Sequence, residues 1–144
     1  MFGSFYFGGC SEWSEFKETI LRLLEDAGFT DSEDEFTVST NGFTLFFQEG
    51  GHGVVFASED YGVELKYNGY IDIIVSYPEW AFELMEFTGR LLTRLDGDCV
   101  LELNDKPILL RKDKVVCVDD KKLSGTARFP FHGLNLDYVE GDLS

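Results

Sequence analysis

Residues able to do chemistry are few in this chain, and they fall into no recognised catalytic set. Imidazole chemistry can draw only on His52 and His132. They sit in Gly-Gly-His-Gly and Pro-Phe-His-Gly, turn contexts that leave a side chain exposed. Thiol chemistry can draw on Cys10, Cys99 and Cys117, an odd number with no CxxC pair. Neither a disulfide framework nor a zinc knuckle is therefore expected. A Cys–His nucleophile pair would have to meet in space, since no local signature joins the two types. The simpler expectation is exposed histidines and buried, reduced cysteines. Asp31, Glu33 and Glu35 alternate like oxygen ligands. A calcium loop of that kind needs glycine at its sixth position and an acid at its twelfth, where this chain has Phe36 and Gly42. No Gly-x-Gly-x-x-Gly or Walker-type loop is present. Paired carboxylates are too common in an acidic chain to indicate glycoside hydrolysis. The expectation is a protein that is not an enzyme and uses no cofactor and no metal.

Charge says more than any motif. The 144 residues carry 27 Asp and Glu against 12 Lys and Arg, a formal charge of −15. Residues 1–72 hold 14 acids and 3 bases (net −11), and residues 73–144 hold 13 acids and 9 bases (net −4). A field of that sign repels nucleic acid and anionic membrane and attracts cationic protein surfaces. The acids cluster at 31–35, at Glu59-Asp60, at Asp119-Asp120 and over 137–142, interleaved with Phe29, Tyr61 and Tyr138. Carboxylates around rings suit a basic protein patch, with charge steering the encounter and rings anchoring it. The candidate partner-binding residues are Asp31, Glu33, Asp34, Glu35, Glu59, Asp60, Tyr61, Asp137 and Glu140. A solubilising coat without a partner is the plainer alternative.

Elements that would position these groups can be read from periodicity. The first helix is expected to start at Ser11 as N-cap, with Glu12 and Glu15 in the first turn. Trp13, Phe16, Ile20, Leu23, Leu24 and Ala27 form its apolar stripe, and Gly28 is the expected stop. The run 31–35 reads as a solvated loop. Residues 36–40 and 43–48 flank Asn41-Gly42, a hairpin signal. Residues 54–57 read as a further strand, and 63–67 with 70–76 as a second hairpin turning at Asn68-Gly69. The second helix is expected from Ser76-Tyr-Pro-Glu79, a capping-box spacing, to near Gly97. Its core stripe is Ala81, Leu84, Met85, Thr88, Leu91, Leu92 and Leu95. A second stripe of Trp80, Glu83, Phe87, Arg90 and Arg94 is either covered by another layer or an exposed hot spot, and burial is the expectation. Three more strands are expected over 98–103, 106–111 and 114–118. The apolar stretch 1–10 reads as a first strand or an aromatic arm, too short for a membrane span. It lacks the basic residues that open a secretory signal.

The sum is one α+β domain over 1–144: a mostly antiparallel sheet packed by two main helices, with 121–144 as a less certain tail. The order also fits a duplicated helix-plus-meander unit. Arg22-Leu-Leu24 matches Arg90-Leu-Leu92, Asn41 matches Asn104, and Val54-Val-Phe56 matches Val115-Val-Cys117. A long period of this kind would be a two-unit duplication rather than a solenoid.

The chain resembles small cytosolic immunity proteins of bacterial toxin–immunity systems, including the contact-dependent inhibition type. The likeness is general: an acidic domain, helix 11–27, meander 36–57, helix 78–95 and no catalytic set. It carries over no site. It implies a cytoplasmic protein that binds a cognate basic toxin, such as a nuclease, and neutralises it by direct contact. Nuclease clefts must attract polyanions, so a compact acidic protein can occupy one by the same attraction. Two other functions fit the sequence: a small-molecule-binding or enzymatic α+β domain, and a nucleic-acid mimic or structural subunit of a phage or mobile element. Oligomeric state is not encoded in any feature of the sequence.

Overall fold

The run Phe2-Gly-Ser-Phe-Tyr-Phe7 alternates across a strand, and Phe5 and Phe7 are fully buried on one side of it. This strand, β1 (Phe2–Phe7), lies in the middle of the sheet. The computed structural model describes residues 1–9, 12–24, 28–31, 35–119 and 129–143. After β1 come α1 (Trp13–Leu23), β2 (Gly28–Asp31), β3 (Glu35–Ser39), β4 (Phe43–Glu49) and α2 (His52–Tyr61). Then follow β5 (Tyr67–Ile73), α3 (Trp80–Arg94), β6 (Cys99–Leu103), β7 (Lys106–Lys112) and β8 (Val115–Val118). A 3₁₀ turn (Phe131–Leu134) and a short β9 (Val139–Glu140) close the order. The nine strands form one sheet, β2-β3-β4-β5-β1-β6-β7-β8-β9, in which only the β8–β9 pair is parallel. The architecture is α+β, as expected.

Helices α1 and α3 pack on one face of this sheet, here called the front. Phe16 and Ile20 of α1 are buried there, as are Leu84, Met85, Phe87, Thr88, Leu91 and Leu92 of α3. They meet the inward-pointing alternates of the strands: Phe36 and Val38, Phe43, Leu45 and Phe47, Tyr67 and Ile71, Leu101 and Leu103. Two-residue periodicity in the strands and three-to-four spacing in the helices thus converge on one core. The aromatics of the second stripe of α3 belong to this packing. Phe87 is buried against Phe5 and Phe43, and Trp80 is half-buried against Phe129. Arg90 and Arg94 are exposed. The end of α3 is held by Arg111 of β7. Its guanidinium donates to the carbonyls of Leu92, Leu95 and Gly97 at 2.6–2.9 Å. The Leu92 and Leu95 carbonyls are ones that the helix end leaves unpaired, and Gly97 lies just beyond it.

Several expectations need correction. Residues 54–57 are helical, not a strand. Gly50 and Gly51 take positive φ (73° and 101°), which turns the chain out of β4 and into α2. Val54 and Ala57 then face inward, the Ser58 hydroxyl donates to the Val54 carbonyl, and Gly62 ends the helix in the left-handed region. The match of Val54-Val-Phe56 to Val115-Val-Cys117 in the proposed duplication goes with it. Asn68-Gly69 is no turn: both residues sit inside β5, paired with β4 on one side and β1 on the other. Gly69 is needed there because a Cβ would stand 2.8 Å from the Phe47 ring. Residues 63–66 therefore form no first hairpin arm, although Val63 is buried and Glu64 and Lys66 are exposed, as alternation required. Gly28 opens β2 instead of stopping the first helix, whose C-cap is Leu24. The N-cap of α1 is Glu12, and no side chain caps it. Ser11 and Ala27 lie outside the described residues. Likewise α3 starts at Trp80, not at the Ser76 capping box; residues 75–79 are turns and bends. Asp31 and Glu35 are strand residues, not loop.

The two wings of the sheet are filled in opposite senses. From β1 the chain crosses through α1 to β2, at the rim, and steps inward through β3 to β4. From β5 it crosses through α3 to β6, beside the centre, and steps outward to β8 and β9. Measured along the sheet, both meanders nonetheless advance in one direction, β2-β3-β4 and then β6-β7-β8.

Candidate partner-docking face

The opposite face of the sheet, here the back, is built from the other alternates, and only part of it is covered. Helix α2 lies over the Tyr67–Asn68 end of β5 and reaches across β1 and β6 to β7. Its Gly53 stands next to the Tyr6 hydroxyl, where an added Cβ would lie 3.6 Å away. Its Tyr61 hydroxyl donates to the Glu102 carboxylate at 2.5 Å. A Cβ on Gly62, just past its end, would meet the Lys112 ammonium at 3.3 Å. Under this cover Val100 has no exposed surface, although it points away from the main core. Burial is the main cause that pushes the Tyr61 hydroxyl well above the ordinary phenol range, and the Glu102 contact adds to it. Tyr6 is raised as well, first by burial. Both phenols stay protonated and serve as ties between helix and sheet.

Among the described residues, the back of β4 and of β5 beyond Asn68 has no such cover. There Phe46 (40% exposed), Tyr70 (45%) and Phe2 (56%) form a stripe of rings. Phe46 and Tyr70 are register partners with centroids 6.1 Å apart, and Tyr70 and Phe2 are 5.7 Å apart. Thr37, Ser4 and Thr44 flank the stripe, and Asp72 stands opposite Phe2. The outward side of α2 adds Val55 (54%) and Phe56 (61%), with the His52 ring stacked on Phe56. The chain has no lysine or arginine between Arg22 and Lys66, a stretch that supplies β2, β3, β4 and α2 entirely. The strands β2, β3 and β4 of one wing are therefore built without a lysine or arginine of their own.

Of the residues expected to bind a partner, Glu59 and Asp60 are exposed on α2, and Tyr61 is half-buried in its tie to Glu102. Asp31 ends β2 at one rim of the sheet, where its carboxylate accepts from Lys17 at 2.7 Å. Glu35 opens β3 and accepts from the Gln48 amide at 3.0 Å. Asp137 and Glu140 stand at the opposite rim, on and beside β9. Eight strand spacings, roughly 38 Å, separate the two rims, so these acids do not form one cluster. Glu33 and Asp34 lie outside the described residues. Missed entirely were Phe2, Phe46 and Tyr70. Phe46 did leave a signal: within Phe43-Thr-Leu-Phe-Phe47 it takes the position where alternation calls for a polar residue.

Chemistry of other kinds finds little to work with. His52 begins α2 and His132 sits in the 3₁₀ turn beside Phe82, both exposed. The Cys99 thiol is fully buried, and that burial pushes its pKa up, away from nucleophilic use. Cys117 is half-buried on β8, and Cys10 lies outside the described residues. Among the described residues no three His, Cys, Asp or Glu side chains gather as a metal site would require. An open cleft of about 560 Å³ is lined by Glu15, Leu92, Thr93, Arg94, Leu95, Asp96, Arg111 and Lys114. Arg111 is committed there to the end of α3, and no histidine, cysteine or aromatic residue lines the cleft. Among the described residues no helix is long and apolar enough to cross a membrane. Comparison of the chain with protein-family models, with curated proteins and with solved structures finds no match among any of them.

Proposed function

We propose that this chain is a small immunity-like protein that binds a basic toxin, such as a nuclease, and neutralises it by direct contact. The observation that supports this most is the wing of β2, β3 and β4, whose strands carry carboxylates and an exposed ring but no lysine or arginine of their own. Such a surface attracts Lys/Arg-rich proteins over a Debye length of about 8 Å at physiological salt, and holds them by ring contacts once they arrive. The scatter of the acids to both rims moves the weight of the reading from the rim clusters to this face. A small-molecule enzyme is the weaker reading, because the cleft at the end of α3, though it holds Glu15, Asp96 and Lys114, is lined by no histidine, cysteine or aromatic residue.

The test is co-expression with the product of the reading frame beside this one. The expected outcome is rescue of growth and a complex whose association slows steeply between low and high salt. An acidic neighbour product, or a basic one that neither binds nor is neutralised, overturns the proposal.

A further inference from the structure

The solvent side of an antiparallel sheet ordinarily carries polar and charged residues. On the back of β4, β5 and β1 this chain instead carries Phe46, Tyr70 and Phe2 in ring-to-ring sequence. Core packing does not explain them, because the core lies on the front and the alternates on that side are already buried. Cover by α2 does not explain them either, since each keeps at least two-fifths of its surface exposed while Val100, beneath α2, keeps none. Large rings held rigidly on a strand, with threonine and serine beside them, are instead what an interface core requires.

We infer that this uncovered half of the sheet is where the partner docks, and that the occupant is an arginine-rich protein surface. The inference rests on the proposed function and names the surface that would perform it. Charge selects the occupant. A second copy of this chain brings another −15 and is repelled, as are nucleic acid and anionic lipid. Among cations, arginine fits best: its planar guanidinium stacks on phenol and phenyl faces and presents donors at its edge. Asp72, opposite Phe2, and Glu35, at the end of β3, would receive those donors at two ends of the stripe. Phe56 and Val55 on α2 would widen the apolar contact on the same side of the molecule.

Mapping with a defined probe tests the surface separately from the identity of any toxin. The isotope-labelled full chain is titrated with a short peptide of alternating arginine and leucine, and with its glutamate–leucine counterpart. The expected result is backbone shifts centred on Phe2, Phe46, Tyr70 and Asp72 with the arginine peptide alone. Replacing the two central rings together, Phe46→Thr with Tyr70→Thr, keeps good strand formers and should weaken binding about tenfold or more. Charge reversal at the far rim, Asp137→Lys with Glu140→Lys, should change it less than about threefold. Shifts spread evenly over the surface, or centred on β9, or unaltered affinity in the threonine pair, would overturn the inference. So would a wild-type dimer that the threonine pair dissolves, because the stripe would then serve self-association. If the neighbouring gene product binds the threonine pair as tightly as wild type, this surface is wrong and the proposed function stands. If the peptide maps to the stripe and the neighbouring product does not bind, the toxin reading falls and the surface stands.

Discussion

The two wings of the sheet solve the same packing problem with different side chains. The wing of β2, β3 and β4 is filled with rings: Phe16 of α1 lies within 6.3 Å of Phe7, Trp13, Phe36, Phe47 and Tyr67, centroid to centroid. The wing of β6, β7 and β8 is filled with Leu101, Leu103, Ile108, Leu109, Val116 and Val118 under Leu84, Met85 and Leu91. The aliphatic wing is covered on its back by α2 and carries Lys106, Arg111, Lys112 and Lys114. The aromatic wing is open on its back among the described residues, and its strands carry no base, Lys17 of α1 pairing with Asp31 at the rim. Rings keep the open wing rigid from one side only, because each large flat group touches many neighbours at once. The lesson is that cover is invested where stability depends on small side chains, and the wing that can stand uncovered is the one offered to solvent.

That comparison can be broken at its strongest point first. Phe16→Ala should cost about 3–5 kcal/mol in urea unfolding, near the top of the range for core truncation, because it unseats a whole ring cluster. Leu101→Ala, in the middle of the aliphatic wing, should cost about 2–4 kcal/mol. A Leu101 variant hit harder than the Phe16 variant would mean that the ring cluster is not the main prop of its wing. Next in size is Gly69→Ala. Its Cβ would meet the Phe47 ring at 2.8 Å, so the ring must shift, at about 1–3 kcal/mol by the same measurement. An unchanged midpoint there would show the ring free to move.

A smaller effect belongs to the aliphatic wing. The Cys99 thiol is held protonated in the fold by burial and is free to ionise once the chain unfolds. Its folded pKa lies above its unfolded one, so the stability it contributes is intact below the ordinary thiol value of about 8.5 and is lost as pH rises past it. The slope is at most about 1.4 kcal/mol per pH unit. Urea midpoints taken across that range should fall with pH in the wild type and fall less steeply in Cys99→Ala, a residual slope remaining from Cys117, whose thiol burial also raises. Parallel slopes in the two proteins would remove Cys99 as the cause.

Legibility followed the strength of the local pattern. Strands β3, β4, β6, β7 and β8 were readable as short apolar runs set off by turn residues such as Asn41-Gly42 and Asn104-Asp105, and the core faces of both front helices because Phe16–Ile20 and Leu84–Thr88–Leu91 keep helical spacing. What misled was glycine chemistry. Asn68-Gly69 has the composition of a turn, but Gly69 is there to make room for Phe47, a partner distant in sequence that no local window reveals. Gly50-Gly51 announced a turn without saying what followed, and Val54-Val55-Phe56 favours a strand by type although its neighbours complete a helix. For the candidate surface, the count of acids was readable and their arrangement was not. Which carboxylates share a face depends on strand order, and that order separates Asp31 from Glu140 by the full width of the sheet.

Central placement of the first strand also has a kinetic consequence. Phe7 pairs with Tyr67, 60 positions on, and Gly3 pairs with Leu103, 100 positions on. Closing contacts of such separation is slow, of order milliseconds to seconds for sheet-rich chains of high contact order. Until one of these loops closes, Phe2-Gly-Ser-Phe-Tyr-Phe7 has neither neighbour. A cut between Gly62 and Lys66 would leave two fragments, one with a strand lacking its seat and one with a seat lacking its strand. Each fragment would then be completed only by the other.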